Sequence, residues 1–404
     1  MASARHVIVA GAGIAGLTAA LALTRAGLRA TVFEQAPKLE EIGAGIQLSP
    51  NATRVLIALG LRDRLQPSVM APQAIRVMAG GSGREIVRIP LGSDVERRYG
   101  APYWTIHRGD LQAALAAAAR TTQDIELKFG TRVEDFAAYG NGITVQARSG
   151  QRTVDERAIA LIGADGLWST LRAQLQGQRP PRFRHRTAWR TLLPAEAVAA
   201  EFRSPLVHLW LGDGAHLVHY PVKAGRLINI VGIVHDEWNK TGWSAAGDRA
   251  EILRHFARWA WAEQARALIA LPEQWLKWAL YDRKTPFRGG AGPVTLIGDA
   301  SHPMLPFLAQ GAGMAIEDAA VLADMLEKYI DDPADALRGY EGARWHRTAR
   351  AQLASRRQGR IYGLTGPEAL IRNLAMRAVG GERLRARYDW LYDWQPPERF
   401  TNAS

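Results

Sequence analysis

The segment His6-Val-Ile-Val-Ala10-Gly11-Ala-Gly-Ile-Ala-Gly16-Leu-Thr-Ala-Ala-Leu21-Ala-Leu-Thr-Arg-Ala-Gly27, with Ala30-Thr-Val-Phe-Glu34 just beyond it, decides the fold. His6 to Ala10 has the length and apolar content of a short buried strand, and the glycine run Gly11-Ala-Gly-Ile-Ala-Gly16 follows at once. Ile14, Leu17 and Leu21 then recur at helical spacing, while Ala15, Ala19, Ala22 and Ala26 are small enough to let that helix approach a sheet. Gly27 is placed to cap it. The order strand, glycine turn, helix, second strand, terminal acid is that of a dinucleotide-binding unit. Gly11 makes the tight turn, Gly13 lets backbone amides reach a pyrophosphate, and Gly16 permits close helix–strand packing. Unpaired N–H groups and the macrodipole at the helix start favour the phosphate charge. Glu34 stands where a carboxylate holds adenosine ribose hydroxyls. FAD and NAD both fit this fingerprint.

Two later motifs bear on that choice. In Leu161-Ile-Gly-Ala-Asp165-Gly166-Leu-Trp-Ser169-Thr-Leu-Arg172 a strand runs into Asp-Gly, and an Asp-Gly turn with a helix cap would also explain the pattern. In Val294-Thr-Leu-Ile-Gly-Asp299-Ala-Ser-His302-Pro303-Met-Leu-Pro306, continuing to Gln310-Gly311-Ala312-Gly313, a strand again ends in Gly-Asp and a long helix begins near Gly311. Asp299 can accept from a ribityl hydroxyl. The amides of Gly311, Ala312 and Gly313 form an anion site suited to negative charge on a reduced isoalloxazine. An ordinary strand–loop–helix accounts for less of this glycine density and of the Pro303/Pro306 pair.

Together the three motifs resemble those of the class A, single-component FAD-dependent aromatic monooxygenases, over residues 5–390 or so of the chain. The likeness extends to Glu34-Gln35, to Gly43-Ala-Gly-Ile-Gln47-Leu-Ser-Pro-Asn51 and to His107-Arg108-Gly-Asp-Leu111. It implies an α/β fold: a Rossmann-like FAD-binding domain of the p-hydroxybenzoate hydroxylase type, an inserted, mostly antiparallel β-sheet substrate domain, and C-terminal helices. The expected parts are a discontinuous FAD-binding domain (1–75, 101–180 and 288–365), a substrate domain (76–100 and 181–287) and a helical segment (366–404). The resemblance also implies that Gly11, Gly13, Ala15, Gly16, Glu34 and Gln35 hold the ADP part of FAD. By the same likeness Gln47 lies beside the flavin, Arg108 contacts FAD, Asp165 serves FAD and the nicotinamide donor, and Asp299 binds the ribityl chain.

Pro205 to Leu211 and Ala215 to Val222 flank Gly212-Asp-Gly214, a hairpin signal, and Arg226 to Val234 supplies a third strand. Strand alternation puts His216, Val218 and Tyr220 on one face and Leu217 and His219 on the other. Two polar residues there either line a pocket or face solvent; the resemblance implies that His216 and Tyr220 contact the phenolic oxygen and carboxylate of a substrate. Helices are expected at 246–268, 311–329 and 334–360, and the arginines of the last (Arg338, Arg344, Arg347, Arg350) read as a solvated or dimer-facing surface.

The implied reaction uses NADH (or NADPH) to reduce FAD and O₂ to form a flavin C4a-hydroperoxide, which hydroxylates a small aromatic acid. His216 is the first candidate for substrate deprotonation, because a histidine titrates near neutral pH. His302 is the rival, as base or as loop-stabilising residue. Pro306 is expected to set a backbone carbonyl near the reacting oxygen. Pro306 is similar to the salicylate hydroxylase and 6-hydroxynicotinate 3-monooxygenase patterns, whereas the 3-hydroxybenzoate 6-hydroxylase pattern resembles a glutamine there, and Arg88-Ile-Pro-Leu-Gly92 and the Tyr99–Leu111 stretch resemble the hydroxynicotinate enzyme. Against this, Phe307 stands where both favoured groups have a histidine, and Gln47 where the hydroxynicotinate enzyme has one. Other flavin hydroxylases, acting on a larger phenol, a quinone precursor or a urate-like heterocycle, and a non-catalytic basic binding protein are the alternatives.

Composition bounds these readings. The 404 residues include no cysteine, which excludes disulfides, thiolate nucleophiles and Cys-ligated metal, and no metal site is expected. Redox chemistry then needs a bound cofactor. The net charge of +12 is spread over scattered arginines and lysines, a solvated surface or a field for small anions more than a nucleic-acid footprint. The most apolar run, Leu111 to Ala119, falls short of the roughly 18 residues of a spanning helix. With a strand starting almost at Met1, the expectation is a cytoplasmic protein without membrane or nucleic-acid partners, monomeric or homodimeric.

Overall fold

A computed structural model describes residues 5–401 apart from 40–42, 141, 241, 243 and 258–260. Its first layer is a five-stranded parallel sheet in the order Val294–Leu296, Ala160–Gly163, His6–Ala10, Arg29–Glu34, Ile125–Phe129. His6–Ala10 lies at the centre, and Val7, Ile8 and Val9 are wholly buried, as a parallel strand covered on both faces requires. The helix Ile14–Arg25 packs between this sheet and the helix Gly311–Lys328. It ends at Gly27, whose φ of +78° is the left-handed turn a glycine adopts freely.

The second layer is an eight-stranded sheet in the order Ala245–Gly247, Trp275–Asp282, Arg182–Pro194, Leu227–His235, His216–Val222, Leu206–Leu211, Ala74–Ala79, Glu85–Pro90. All pairings are antiparallel except Leu206–Leu211 with Ala74–Ala79. One face buries Trp189, Trp210 and Leu217 against the helices Arg249–Ala257 and Glu263–Ala270. The helix expected over 246–268 is thus two helices, with 258–260 outside the described residues. On that same face His219 stacks on His208 at 4.4 Å, none of the four ring nitrogens having a partner. A short antiparallel pair, Gly45–Leu48 with Trp104–His107, lies between the two large sheets.

The helix Pro333–Tyr362 corrects one expectation. Arg344 is buried and bound to Glu317 and Asp318, Arg347 grips Glu317 and the carbonyls of Trp390 and Leu391, and Arg338 pairs with Glu341. Only Arg350 is exposed, lying on the Trp390 ring. Burying Arg344 and partly burying Arg347 and Arg338 is affordable here because Glu317, Asp318 and Glu341 are themselves buried and need the counter-charge. A helix wheel cannot show partners that arrive from another helix.

Buried histidines make stability pH-dependent. Burial, aided by neighbouring cations, depresses His208 to about 4 and His216 to about 3, and burial beside His208 carries His219 well below its ordinary value. The unfolded chain therefore binds more protons than the folded one below pH 6.5, so stability is complete above that and falls as the pH drops. Each histidine contributes a slope of about 1.4 kcal/mol per pH unit. Urea midpoints are expected to hold steady from pH 8 to 7 and to fall steeply from 6 to 4.5; a flat profile down to pH 5 would contradict this.

Candidate active site

The fingerprint is pinned by its own acid. Glu34 accepts from the amides of Ala12 and Ala36 at 2.8 Å each, which holds its carboxylate at the mouth of the glycine turn. A Cβ at Gly16 would lie 1.8 Å from the Gly11 carbonyl oxygen, and one at Gly11 would lie 2.5 Å from that of Ala164, so both glycines serve internal packing. Gly13 differs: a Cβ there meets nothing within 4 Å. The helix it opens has no side-chain cap and no acid in its first turn, leaving amides and positive dipole free for an anion. Gly311 repeats this arrangement, with open space around it and no side-chain cap on the helix Gly311–Lys328.

Side chains join the motifs across sequence. Arg172 donates to the carbonyls of Ala300 (2.9 Å) and Ser301 (2.5 Å), tying the Asp-Gly motif to the Gly-Asp motif. Asp165 accepts from the amides of Thr170 and Leu171, and Ser169 caps the same helix. The turn-and-cap role of Asp165 is thus realised, with its Oδ1 buried and unpartnered. Asn51 donates to Gln310 and Glu317, and Gln310 donates to Ser49, joining the Gly43–Asn51 segment to the helix at Gly311. Asp318 accepts from the Gly298 amide, Arg344 and His302. Burial alone would raise Asp318, but His302 and Arg344 hold it at about 2. His302 is thereby occupied at Nε2 in a buried ion pair. Asp299, three residues beyond the end of Val294–Leu296, remains exposed and feels the charge of Arg108. Ala15 lies against Gly298, where a Cβ would come within 2.8 Å of its own. Gln35 is exposed.

On the front of the eight-stranded sheet, rows of paired residues set the geometry. Ala188, Ile233 and His216 form one row, Arg190, Val231 and Val218 the next, and Leu192, Asn229 and Tyr220 the third. His216 and Tyr220 thus share a face, with apolar floor between them, and His219 points the other way as alternation requires. His216 packs on Phe307 and Tyr362, and its Nδ1 has no partner. Burial, then Arg186 and Arg372, depress it to about 3, so His216 is neutral at pH 7. Arg186 lies over the Phe307 ring. Burial raises the Tyr220 phenol despite Arg190 and a hydrogen bond with Gln47. Gln47 also accepts from Tyr103 at 2.7 Å. The Gly45 amide donates to Asn229 at 2.7 Å, and a Cβ on Gly45 would lie 2.7 Å from Tyr220. This contact seats the Gly45–Leu48 strand directly on the polar face.

Pro306 opens a single 3-10 turn, Pro306–Leu308. Its carbonyl accepts the Ala309 amide at 3.1 Å, so that oxygen closes the turn. Gln352 donates to Pro303 and Ser355 to Leu305, and Gly359 touches Phe307, so the helix Pro333–Tyr362 backs the whole loop. A Cβ at Gly359 would stand 2.5 Å from the Phe307 ring. Gly359→Leu is expected to push Phe307 toward His216 and lower kcat about 10-fold or more, in line with a displacement near 1 Å, with FAD content unchanged. Equal kcat in steady-state assays would refute it.

The family described as FAD binding domain matches residues 4–356. The chain belongs to that family. It is 36% identical to 3-hydroxybenzoate 6-hydroxylase 1 of Aquipseudomonas alcaligenes over 98% of this chain and 99% of the relative. It is 38% identical to a 3-amino-4-hydroxybenzoate 2-monooxygenase of Streptomyces platensis, covering 96% of each, and 34% identical to the 6-hydroxynicotinate 3-monooxygenase of Bordetella bronchiseptica over 87% and 90%. Among solved structures, Klebsiella pneumoniae HpxO complexed with FAD and uric acid superposes with a TM-score of 0.83 at 27% identity, covering 95% of each chain. A salicylate hydroxylase substrate complex gives 0.79 at 24% identity, over 98% and 97%.

This FAD-binding-family protein is therefore a single-component FAD-dependent aromatic hydroxylase with the p-hydroxybenzoate hydroxylase-like fold. Its residues fit the cofactor: the bare Gly13 and the uncapped helix starts at Ile14 and Gly311 are cradles that the protein's own packing does not fill. Arg186, Arg190, Tyr103, Asn229, Asp318, Gln352 and Ser355 escape a motif reading, since each takes its place only through a strand or helix distant in sequence. Among the described residues no helix is long and apolar enough to cross a membrane. Asp236, Glu251 and His255 come together as a metal site would require, but Lys277 sits between the two acids at 2.9 and 2.6 Å.

Proposed function

We propose that this protein hydroxylates a small hydroxylated aromatic or pyridine carboxylate, of the kind named for its relatives, using NADH or NADPH, FAD and O₂. The observation that carries the reading is the pairing of His216 and Tyr220 on the face of the substrate sheet that meets the Gly45–Leu48 strand. When bound, FAD accepts a hydride and delivers an electrophilic oxygen atom; the chain's residues do the rest. Gly11, Gly13, Ala15 and Gly16 receive the pyrophosphate, Glu34 and Gln35 the adenosine end, Asp299 and Arg108 the ribityl and flavin region, with Asp165 beside them. Gly311, Ala312 and Gly313 offer their amides to negative charge on the ring, and Gln47 fixes its edge.

His216 accepts the hydrogen bond of the substrate hydroxyl at Nδ1 and takes up its proton as the phenolate forms. A ring depressed to about 3 is a weak base, so the larger contribution comes from Arg186, whose cation favours the anionic substrate. Tyr220 donates to the carboxylate. His302, engaged by Asp318, positions the loop to Pro306, and Pro306 holds the turn that presents Phe307 to the ring. The residues from 76–100 and 181–287 act as the substrate domain and the remainder up to 365 as the FAD-binding domain. The enzyme acts in the cytoplasm, as monomer or homodimer, without nucleic-acid or membrane partners.

The test is oxidation of NADH and NADPH in air by the FAD-loaded enzyme with 3-hydroxybenzoate, 6-hydroxynicotinate, salicylate and urate, quantifying hydroxylated product and peroxide. Near-stoichiometric product from one of the three acids supports the reading. Peroxide alone, or hydroxylation of urate only, overturns it.

A further inference from the structure

Several arginines drawn into this protein's interior have polar partners. Arg344 has Glu317 and Asp318, Arg347 has Glu317, Arg184 and Arg356 share Asp282, and Arg172 holds the carbonyls of Ala300 and Ser301. Arg190 differs. It is half-buried, its Nε is buried without a hydrogen-bond partner, and among the described residues no carboxylate pairs with it. One face of its guanidinium is covered by the Trp278 ring, 5.1 Å away, which leaves only its edge for hydrogen bonding. A desolvated cation held this way lacks its counter-charge, and buried charges ordinarily have one.

Register places Arg190 on the same sheet face as His216 and Tyr220. Its row, Arg190–Val231–Val218, lies between the row of His216 and the row of Tyr220. Two strand spacings separate Arg190 from Val218, about 10 Å between backbones. That span is floored by Val231 and Val218, two side chains with no polar atom. Arg190 is coupled to the Tyr220 phenol and to the Arg108 cation, which places it toward the Tyr220 end of the pocket. Arg186 serves the His216 end.

We infer that Arg190 is the carboxylate-binding residue of this enzyme, selecting aromatic acids over neutral phenols and orienting the ring between Tyr220 and His216. The inference rests on the function proposed above and adds the group that makes the substrate an acid. A planar guanidinium with its edge free is matched to a carboxylate, which takes two parallel N–H donors, while Tyr220 donates to the same group. The two unpaired cations of this face then divide the work, Arg190 for the carboxylate and Arg186 for the phenolate.

Arg190→Met and Arg190→Lys, both loaded with FAD, are compared with wild type by the flavin absorbance change on titration with 3-hydroxybenzoate, 6-hydroxynicotinate and salicylate, and with the three matching carboxamides. Wild type should prefer an acid to its amide. Arg190→Met should weaken acid binding about 30-fold or more and leave amide binding within about 3-fold, with Arg190→Lys in between. The KM for the acid should rise while kcat at saturation is largely kept, which a merely structural role would not produce. Unchanged acid binding in Arg190→Met, or parallel loss of acid and amide, overturns the inference while leaving the hydroxylase reading intact. Wild-type enzyme that binds none of the acids overturns both.

Discussion

Gly16→Val protein is expected to purify with little or no flavin. The β-carbon of any residue at 16 falls 1.8 Å from the Gly11 carbonyl oxygen and 3.2 Å from Val9, so relief requires moving the helix Ile14–Arg25 off its sheet. The colliding atom is backbone at a positive-φ glycine, and no rotamer change relieves it. Overpacking of this kind costs about 1–3 kcal/mol or more in stability. The greater loss is in binding, because the amides aimed at the pyrophosphate move with the helix. With charge-assisted hydrogen bonds at about 1.5–3 kcal/mol each, flavin occupancy should drop to about a tenth or less after gel filtration. Gly13→Val separates the two effects. Its side chain meets no protein atom, so the thermal midpoint of the apoprotein should stay near wild type while FAD affinity collapses. Stoichiometric flavin in Gly16→Val would falsify the assignment of the fingerprint.

His216→Leu is expected to lower the hydroxylation rate about 10²-fold, the low end of the range for a positioned proton-transfer group because the depressed ring is a weak base, with full FAD content. NADH consumption should persist and end in peroxide, since the substitution touches the pocket and none of the cofactor cradles. The pH dependence identifies the electrostatics. His216, held at about 3 by burial, Arg186 and Arg372, stays neutral from pH 5 upward, so its own titration does not shape the neutral range. The group that does is the bound phenol, whose pKa is lowered by the Arg186 cation. Arg186→Met removes that pull, and the phenol pKa should rise by about 1–2 units. Activity is then lost at pH 7 and recovered as the pH increases toward 9. A loss in Arg186→Met that is the same at every pH would mean that Arg186 acts through packing on Phe307 alone.

Much of this was legible along the chain because the signals are local. Gly11, Gly13, Gly16, Glu34 and Gly27 do their work within a single strand–helix–strand unit, where spacing fixes geometry. The face shared by His216 and Tyr220 follows from strand alternation, which needs no tertiary information. His302 and the arginines of Pro333–Tyr362 were harder, since a side chain on a helix or loop takes its role from whatever packs against it. Asp318 turns His302 into half of an ion pair, and Glu317 with Asp318 turns Arg344 from a surface charge into a core counter-ion. The substrate preference suggested by Pro306, with Phe307 in place of a histidine counting against it, likewise leaned on two loop positions. The relatives at 34–38% identity include 3-hydroxybenzoate and 3-amino-4-hydroxybenzoate hydroxylases as well as hydroxynicotinate ones.

Local spacing along the chain sets the nucleotide-binding unit, the order of the three motifs, and the alternation that sends His216 and Tyr220 to one side of their strand. What meets them there depends on long-range packing. Pairing of Arg182–Pro194 with Leu227–His235, and of that strand with His216–Val222, carries Arg190 into the row between the two polar residues, although 26 positions separate it from the nearer one. Long-range strand pairing is set by the summed burial of whole sheets, and no spacing within a single segment encodes it.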